Sequence, residues 1–447
     1  MNIFPNTPHG LVLAGVFLAL SAARAVADEP LELEPIQVRT ASRTSEDISR
    51  SLAAVSIITA ENIRQSVAQD LLELLRLEAG VDVVRTGGAG QQTSVFMRGS
   101  NSNHTLVLID GVRVSSTHTG AFAWEHLPLN QVERVEIVRG PRGSLYGSDA
   151  MGGVIQVFTR QVDAPFLRLV AGSHASRELE SGTGFRIGEA QISLSAGIRD
   201  TDGFSAQNEA GFSFHPDDDA FKSKNVNLSG SGRAADVAWQ FRITGIDNTV
   251  HFDQGVSTSE QVLGSASADG AWRDGWRYRI YAGYADDQLA SDFGFFNSLF
   301  DSRRFDFGWE NRIQLDRGSL AFGVDYYDEQ GRSADSYTGE RDNAGLFGLW
   351  EQDLGTSRLQ LSGRLDDNSL FGSELTHQAS IRIKAGEQGE IIVSRGTAYR
   401  APTLSEQFSP GFGGLFAGNP ALQPETSDTV ELIYRLDTGP GSRLSIA

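Results

Sequence analysis

The chain has 447 residues, with 57 Asp and Glu against 38 Lys and Arg for a net charge of −19, and it has no cysteine. That length exceeds one ordinary globular domain, so two or more parts are expected. The acidity disfavours nucleic acid as a partner, and the missing cysteines exclude disulfides, thiolate metal sites and a cysteine nucleophile.

In chain order, the longest apolar run is Leu11 to Ala23, too short for the roughly 20 residues of a membrane-crossing helix. It is followed by Ala25-Val26-Ala27, a small-x-small cleavage pattern just before Asp28-Glu29. Residues 1–27 therefore read as a secretory signal peptide, although Met1 to Gly10 lacks the usual Lys or Arg. Residues 28–51 are polar apart from Ile36-Gln37-Val38 and read as a flexible segment. Residues 52–160 read as a small α+β unit. Its short apolar runs are Val55 to Ile58, Val81 to Val84, Thr105 to Ile109, Val135 to Val138 and Val154 to Phe158. Between the first two, Ile63, Val67, Leu71, Leu74 and Leu75 fall near helical spacing, with Thr59 as the cap.

From residue 166 onward the texture becomes strict alternation, the period of a strand with two different faces. Ile192, Leu194, Ala196 and Ile198 stand against Gln191, Ser193, Ser195 and Arg199, and Val237, Trp239, Phe241 and Ile243 against Gln240, Arg242 and Thr244. A soluble sandwich with one wet face would show the same pattern. The segments nevertheless run to about ten residues or more, the reach of a tilted strand across hydrocarbon. Short turns such as Gly188-Glu189 and Asp316-Arg317-Gly318 also take turns with long polar stretches near 201–223, 248–257, 288–300, 331–340 and 401–424. That is the layout of an outer-membrane barrel, and the 49 glycines, 25 phenylalanines and 13 prolines suit it. Trp272, Trp276, Tyr278, Trp350 and Tyr434 fit interfacial girdles. Counting up and down gives fourteen strands and the start of a fifteenth at Arg443 to Ala447. Bacterial barrels close with an even number, so C-terminal strands are expected to be missing.

Within the compact region, Ser94-Val95-Phe96-Met97-Arg98-Gly99, the run Leu106 to Gly111, and Val132 to Gly153 follow one another in order. The last contains Glu133-Arg134-Val135-Glu136, Arg139-Gly140-Pro141-Arg142-Gly143-Ser144 and Tyr146-Gly147-Ser148, and leads into Gly152-Gly153-Val154-Ile155. This resembles the plug of TonB-dependent outer-membrane receptors, most closely those that take up cobalamin. Glu78-Ala79-Gly80-Val81 departs from the family, which usually has Pro before Gly-Val. Arg400-Ala401-Pro402-Thr403 and Asn419-Pro420-Ala421-Leu422-Gln423-Pro424-Glu425 resemble paired barrel motifs. Haem receptors carry a histidine between them and this chain has none there. The resemblance implies an all-β transmembrane barrel, of 22 strands in the family with about 15 present here, around an N-terminal α+β plug.

The resemblance also implies the working parts. Glu34, Pro35, Ile36, Gln37, Val38, Arg39, Thr40 and Ala41 are similar to a TonB box, an extended segment that adds to a partner's sheet edge. The partner is TonB with its inner-membrane energising complex. Apical plug loops at 86–93 and 115–124 correspond to those facing the ligand, giving Gly87, Gly88, Gln91, Gln92, Ser115, Thr117, Thr119 and Trp124 as substrate-binding candidates. The ligand implied is cobalamin, or a ferric siderophore in the same architecture, and outer-membrane lipid surrounds the barrel. By motif position Asp217, Asp219, Asp292 and Asp301 match external-loop carboxylates that bind Ca²⁺, an ion that takes six to eight oxygen ligands. Ser205 stands where another acidic ligand is expected. An open porin needs neither a folded unit in its lumen nor a partner-binding strand. An enzyme is disfavoured, because His104, His118 and His126 fit loop packing without a nucleophile partner, and Gly87-Gly88-Ala89-Gly90 lacks the Lys-Ser/Thr of a phosphate loop. No catalytic residue and no catalytic cofactor is expected.

Overall fold

The computed structural model describes residues 36–447 apart from 212–213, 254, 295, 335, 412–414, 416 and 440–441. The expected signal peptide and the segment up to Pro35 lie outside the described residues, so Glu34 and Pro35 of the expected TonB box do too. Val38–Ala447 forms one compact unit.

The first part of that unit is the α+β plug. Its elements are β1 (Ala54–Ile58), α1 (Ala60–Gln65), α2 (Leu71–Leu75), β2 (Val81–Arg85), β3 (Thr93–Met97), β4 (Thr105–Ile109), β5 (Val112–Arg113), β6 (Val132–Arg139), α3 (Gly143–Tyr146) and β7 (Gly153–Thr159). The main sheet runs β1-β6-β7-β4-β5, with β4 parallel to β7 and the other pairs antiparallel, while β2 and β3 form a separate hairpin. Every residue of β4 is buried, as a continuous apolar run requires of a strand covered on both faces. Its sheet packs with the four leucines of α2 around Met97, Val135, Ile137, Ile155 and Val157.

The expected single helical stretch is two short helices. Thr59 does cap the first, in a reciprocal box with Asn62. The Ser66 backbone N–H then closes onto Asn62 O, and Ser66 Oγ donates to Ile63 O. Asp70 starts a new helix by accepting from Glu73 N–H. These local side-chain bonds outcompete helix continuation, and Val67, expected on the buried face, is 98% exposed.

A second difference concerns residues 28–51. From Val38 onward this segment is packed rather than flexible: Val38, Thr40, Ala41, Ser42, Arg43 and Glu46 are all buried. Its polar side chains meet charged partners far away in sequence, which segment composition does not reveal.

Fifteen antiparallel strands follow in simple sequence order as one sheet. They are β8 (Phe166–Ala171), β9 (Arg177–Ile187), β10 (Ala190–Thr201), β11 (Phe221–Ala234), β12 (Val237–Phe252), β13 (Gly255–Arg273), β14 (Trp276–Asp292), β15 (Asn297–Leu315), β16 (Gly318–Ser333), β17 (Tyr337–Asp353), β18 (Ser357–Asn368), β19 (Gly372–Ala385), β20 (Gly389–Arg400), β21 (Glu425–Gly439) and β22 (Ser442–Ile446). Their alternation is inverted relative to a soluble sandwich. On β11 the buried face is Ser223, Asn225, Asn227 and Ser229, while Val226 and Leu228 are exposed. Polar residues inside and apolar residues outside are what a lipid-facing wall requires. Among the described residues, β8 and β22 are the unpaired edges of this sheet.

Three of the five polar stretches expected as long loops are strand instead. Near 248–257, 288–300 and 331–340 the strands continue, and the connections shrink to 253–254, 293–296 and 334–336. Polar residues there still pair across strands, as in Asn248 with Ser259 and Asp301 with Arg332. Polar residues at these strand ends read as loop in composition, although they pair across the sheet. The stretches near 201–223 and 401–424 are long connections, and the second holds a short helix, α4 (Leu404–Phe408).

The plug is joined to the wall by packing as well as polar contacts. Leu106, Leu108, Leu145, Tyr146 and Val154 share a cluster with Ala321, Phe347 and Leu349 of the barrel. A side chain at Gly143 would bring a Cβ within 2.8 Å of the Ala398 backbone, so only glycine lets α3 approach strand β20 this closely.

Candidate functional site

The N-terminal segment is held by two polar anchors. In the first, Glu136, fully buried in the middle of β6, accepts from Arg39 N–H (3.0 Å), Thr40 N–H (2.8 Å) and Thr40 Oγ1 (2.6 Å). Thr40 Oγ1 also lies 2.9 Å from Gln156 Oε1, and Tyr146 Oη donates to the Thr40 carbonyl at 3.0 Å. Edge-like backbone donors of the segment are thus satisfied by a side chain, as buried N–H groups must be.

The second anchor is Arg43, whose side chain is 7% exposed. It donates to Glu310 Oε1 (2.9 Å), Asp325 Oδ2 (2.8 Å), Tyr281 Oη (2.7 Å) and the Leu145 carbonyl of α3 (2.7 Å), and lies 4.1 Å from the Phe347 ring centre. Two barrel glycines make room for this arrangement. A Cβ at Gly308 would strike the Tyr281 ring, and one at Gly345 would strike the guanidinium of Arg364. Arg364 in turn donates to both oxygens of Asp325 (2.8 and 2.6 Å) and to Asp366. One arginine of the N-terminal segment therefore ties the plug helix to strands β14, β15 and β16. Elsewhere Arg98 pairs with Glu431 of the wall, and Arg139 reaches Glu78 at 3.4 Å.

Reasoning from sequence did not single out Arg43, Glu310, Asp325 or Arg364, and it quoted Glu136 only within a motif. A signal existed for Glu136, a carboxylate inside the apolar run Val-Glu-Ile-Val. For Glu310 and Asp325 the signal was charge at inward-facing positions of the alternation.

At the other end of the plug, the expected ligand-facing residues divide. The loop 86–92 packs beneath the 202–220 connection. Cβ atoms at Gly87 and Gly88 would meet Ala206 at 2.8 Å and Phe204 at 3.4 Å, and Gln91 Nε2 donates to the His251 carbonyl at 2.7 Å. Gln92 is exposed, and its carbonyl accepts from Thr86 N–H. In the second loop, Thr117 N–H donates to Ser302 Oγ (3.1 Å) and the Thr117 carbonyl accepts from Leu404 N–H (3.0 Å). Ser115 is buried and its hydroxyl has no partner, whereas Thr119 is exposed with Oγ1 accepting from Ala121 N–H. Trp124 belongs to the plug core, edge-on to Phe122. Gln92 and Thr119 are thus the candidates open to solvent here, and the others lie under loops or in packing.

The three histidines are also taken up by packing. His104 Nε2 lies 2.8 Å from Glu425 Oε2, and His118 contacts Tyr337 Oη and, at 3.1 Å, the Asp301 carbonyl. His126 is buried without a partner for Nδ1, and burial pushes its imidazole down to about 4. Burial likewise pushes the neighbouring Glu125 carboxyl up to about 8.

The four candidate calcium ligands do not converge. Asp219 is buried, Oδ2 accepting from Ala206 N–H at 2.8 Å, and burial raises its carboxyl above the usual range. Asp217 is exposed beside His215 (2.7 Å), Asp292 accepts from Gly294 N–H (2.7 Å), and Asp301 faces Arg303 (3.4 Å). Among the described residues, no group of three or more His, Cys, Asp or Glu is placed to hold a metal ion.

A plug tethered inside a polar lumen, with its N-terminal segment pinned from both sides, agrees with what the chain is similar to. Residues 47–154 match the TonB-dependent receptor plug domain, and 194–447 match the TonB-dependent receptor-like β-barrel. A vitamin B12 transporter of Vibrio cholerae is 31% identical over 95% of this chain and 71% of its own length. One of Photobacterium profundum is 31% identical over 89% and 66%. Among solved structures, a siderophore receptor of Acinetobacter baumannii superposes with a TM-score of 0.71 at 17% identity, over 86% of this chain and 69% of that one. A ferric enterobactin receptor of Pseudomonas aeruginosa also gives 0.71, at 19% identity and the same coverage. The alternating wall, the enclosed α+β unit and both family matches make the chain a member of the TonB-dependent receptors, transporters built as a plug within a β-barrel.

Proposed function

We propose that this receptor sits in the bacterial outer membrane and imports cobalamin, drawing energy from TonB acting on residues 34–41. The observation that carries the reading is the double anchoring of Val38 to Arg43 by Glu136 on the plug and by Glu310 and Asp325 on the wall. A segment held by exchangeable polar anchors and by the small apolar contact of Val38 and Ala41 with Ala53 and Val138 is a handle by which a partner can pull. Once freed, the backbone of 34–41 is available for β-augmentation. Cobalamin is favoured over a ferric siderophore by the 31% identity with vitamin B12 transporters across almost the whole chain. The solved siderophore receptors, at 17–19% identity, bear on fold alone.

In this reading Gln92 and Thr119, with the loops around them, meet the ligand first, and the packed residues Ser115 and Thr117 support that surface. Calcium would act by drawing Asp217 and Asp219 of the 202–220 connection toward carboxylates of neighbouring loops. Asp292 and Asp301 would have to move to join them. Equilibrium binding of cyanocobalamin and of several ferric siderophores, with and without calcium, tests the assignment. Tight binding of a siderophore and none of cyanocobalamin would replace the ligand while leaving the transport reading intact.

A further inference from the structure

The sequence motifs at 400–403 and 419–425 lie apart in the chain and are tied together in the fold. Arg400, at the end of β20, donates to both carboxylate oxygens of Glu406 (3.0 and 3.1 Å) and to Glu425 Oε1 at the start of β21 (2.6 Å). Thr403 caps α4 in a reciprocal box with Glu406, and Asn419 N–H closes onto the Glu406 carbonyl at 2.8 Å. Two-pronged, charge-assisted bonds of this kind fix orientation as well as position.

This knot is bonded to the plug at three places remote from one another in sequence. Ala401 N–H donates to Ser148 Oγ (2.9 Å), and Asp149 N–H donates to the Tyr399 carbonyl (3.1 Å). Glu425 Oε2, the oxygen that Arg400 does not use, lies 2.8 Å from His104 Nε2. The third contact is the bond from Leu404 N–H to the Thr117 carbonyl (3.0 Å). The first N–H groups of a helix have no partner within it, and α4 gives one of them to the second apical loop of the plug. Two wall glycines leave the socket for this meeting. A Cβ at Gly331 would lie 2.7 Å from Thr117 Oγ1, and one at Gly339 would lie 2.7 Å from the Phe408 ring. Leu404 is fully buried there. The apical turn 116–121 closes on itself through Ser116 and Ala121 and through Gly120 and Ser116, both at 2.9 Å. Thr119, open to solvent, thus stands on a turn gripped by α4 on one side and by Ser302 on the other.

We infer that the 400–403 and 419–425 motifs form a brace that positions the apical turn 116–121 for ligand, with Leu404 N–H and the Glu425 carboxylate as its positioning groups. The inference rests on the proposed uptake reading for the ligand, and adds the part of the barrel that sets where Thr119 stands.

The test compares Leu404→Pro with Leu404→Ala in the full chain. Proline suits the first position of a helix and lacks only the N–H, and Thr403 at ψ 159° is already extended, as a residue before proline must be. Leu404→Ala keeps the N–H and accounts for lost packing. Equilibrium binding of cyanocobalamin should be at least five-fold weaker in Leu404→Pro than in Leu404→Ala, the scale of one hydrogen bond. The KM for uptake should rise by the same factor with Vmax within two-fold. A nitroxide on Thr119→Cys, a unique thiol in this cysteine-free chain, should become more mobile in the proline variant without any ligand present. Glu425→Gln keeps the shape, removes the charge facing Arg400 and His104, and should shift affinity and label in the same direction. It covers the case in which Leu404→Pro fails to fold. Affinities within two-fold across these variants, with the label unchanged, overturn the brace and leave the uptake function standing. A parent that binds no cyanocobalamin overturns the ligand assignment, and the label, which needs no ligand, then decides the brace alone.

Discussion

Replacing Arg43 by alanine should free the N-terminal segment without unfolding the receptor. Removing one partner of a buried ion pair costs about 3–5 kcal/mol when the survivor is left bare. Neither survivor is bare here, since Glu310 keeps Arg39 at 3.1 Å and Asp325 keeps two bonds from Arg364. The lost items are the bonds to Tyr281 and Leu145 and the packing on Phe347, so the net effect on docking is about 2–3 kcal/mol. That corresponds to roughly a 30- to 150-fold shift from docked toward released segment. Because the chain has no cysteine, Val38→Cys provides a clean reporter: Val38 is 1% exposed when docked. Thiol labelling of Val38→Cys in purified receptor should be slow, and adding Arg43→Ala should speed it at least ten-fold. Equal labelling rates with and without Arg43 would refute the view that this arginine holds the segment.

Three further outcomes are expected. Val38→Pro removes a backbone donor that β-augmentation needs, so uptake should be lost while ligand binding at the outer face is retained within two-fold. Equal uptake by variant and parent in whole cells would take residues 34–41 out of the transport step. Calcium should raise the cyanocobalamin affinity of the receptor, and Asp217→Ala with Asp219→Ala should abolish that gain in titrations with and without chelator. Binding indifferent to calcium would leave Asp219 as no more than a loop-capping residue. The Glu125 carboxyl, held up to about 8 by burial, is protonated in the folded plug at pH values where the unfolded chain has already lost the proton. Its stability contribution is therefore complete below the ordinary carboxyl range and lost as pH rises through 8. Glu125→Gln should remove that loss and exceed the parent by on the order of 1–3 kcal/mol at pH 9, read from thermal unfolding at pH 6 and 9.

The sequence was most legible where one period governed many residues. Alternation from residue 166 onward located the strands, and the inward burial of Ser223, Asn225 and Asn227 against exposed Val226 and Leu228 marks the outer face as the apolar one. It was least legible where polar residues are buried by distant partners. Thr40 meets Glu136 across 96 residues and Arg43 meets Asp325 across 282, so the segment around them reads as solvated until the fold brings the charges in. Likewise Asn248, at the start of a polar stretch expected as a loop, lies in a strand and faces Ser259 in the sheet. Trp124 stood out as an apical aromatic, yet its ring is better used inside the plug, where it packs on Phe122. The plug boundary, the glycines at Gly143 and Gly308 and the inward charges become meaningful only when wall and plug are seen together.

The central claim, that the plug is displaced by energy delivered through residues 34–41, is tested most directly by initial rates of radiolabelled cyanocobalamin uptake in isogenic cells with and without TonB. The account predicts saturable uptake that disappears without TonB while surface binding is unchanged. Uptake at equal rates in the two strains, in proportion to external concentration, would contradict it and mark the protein as a passive pore.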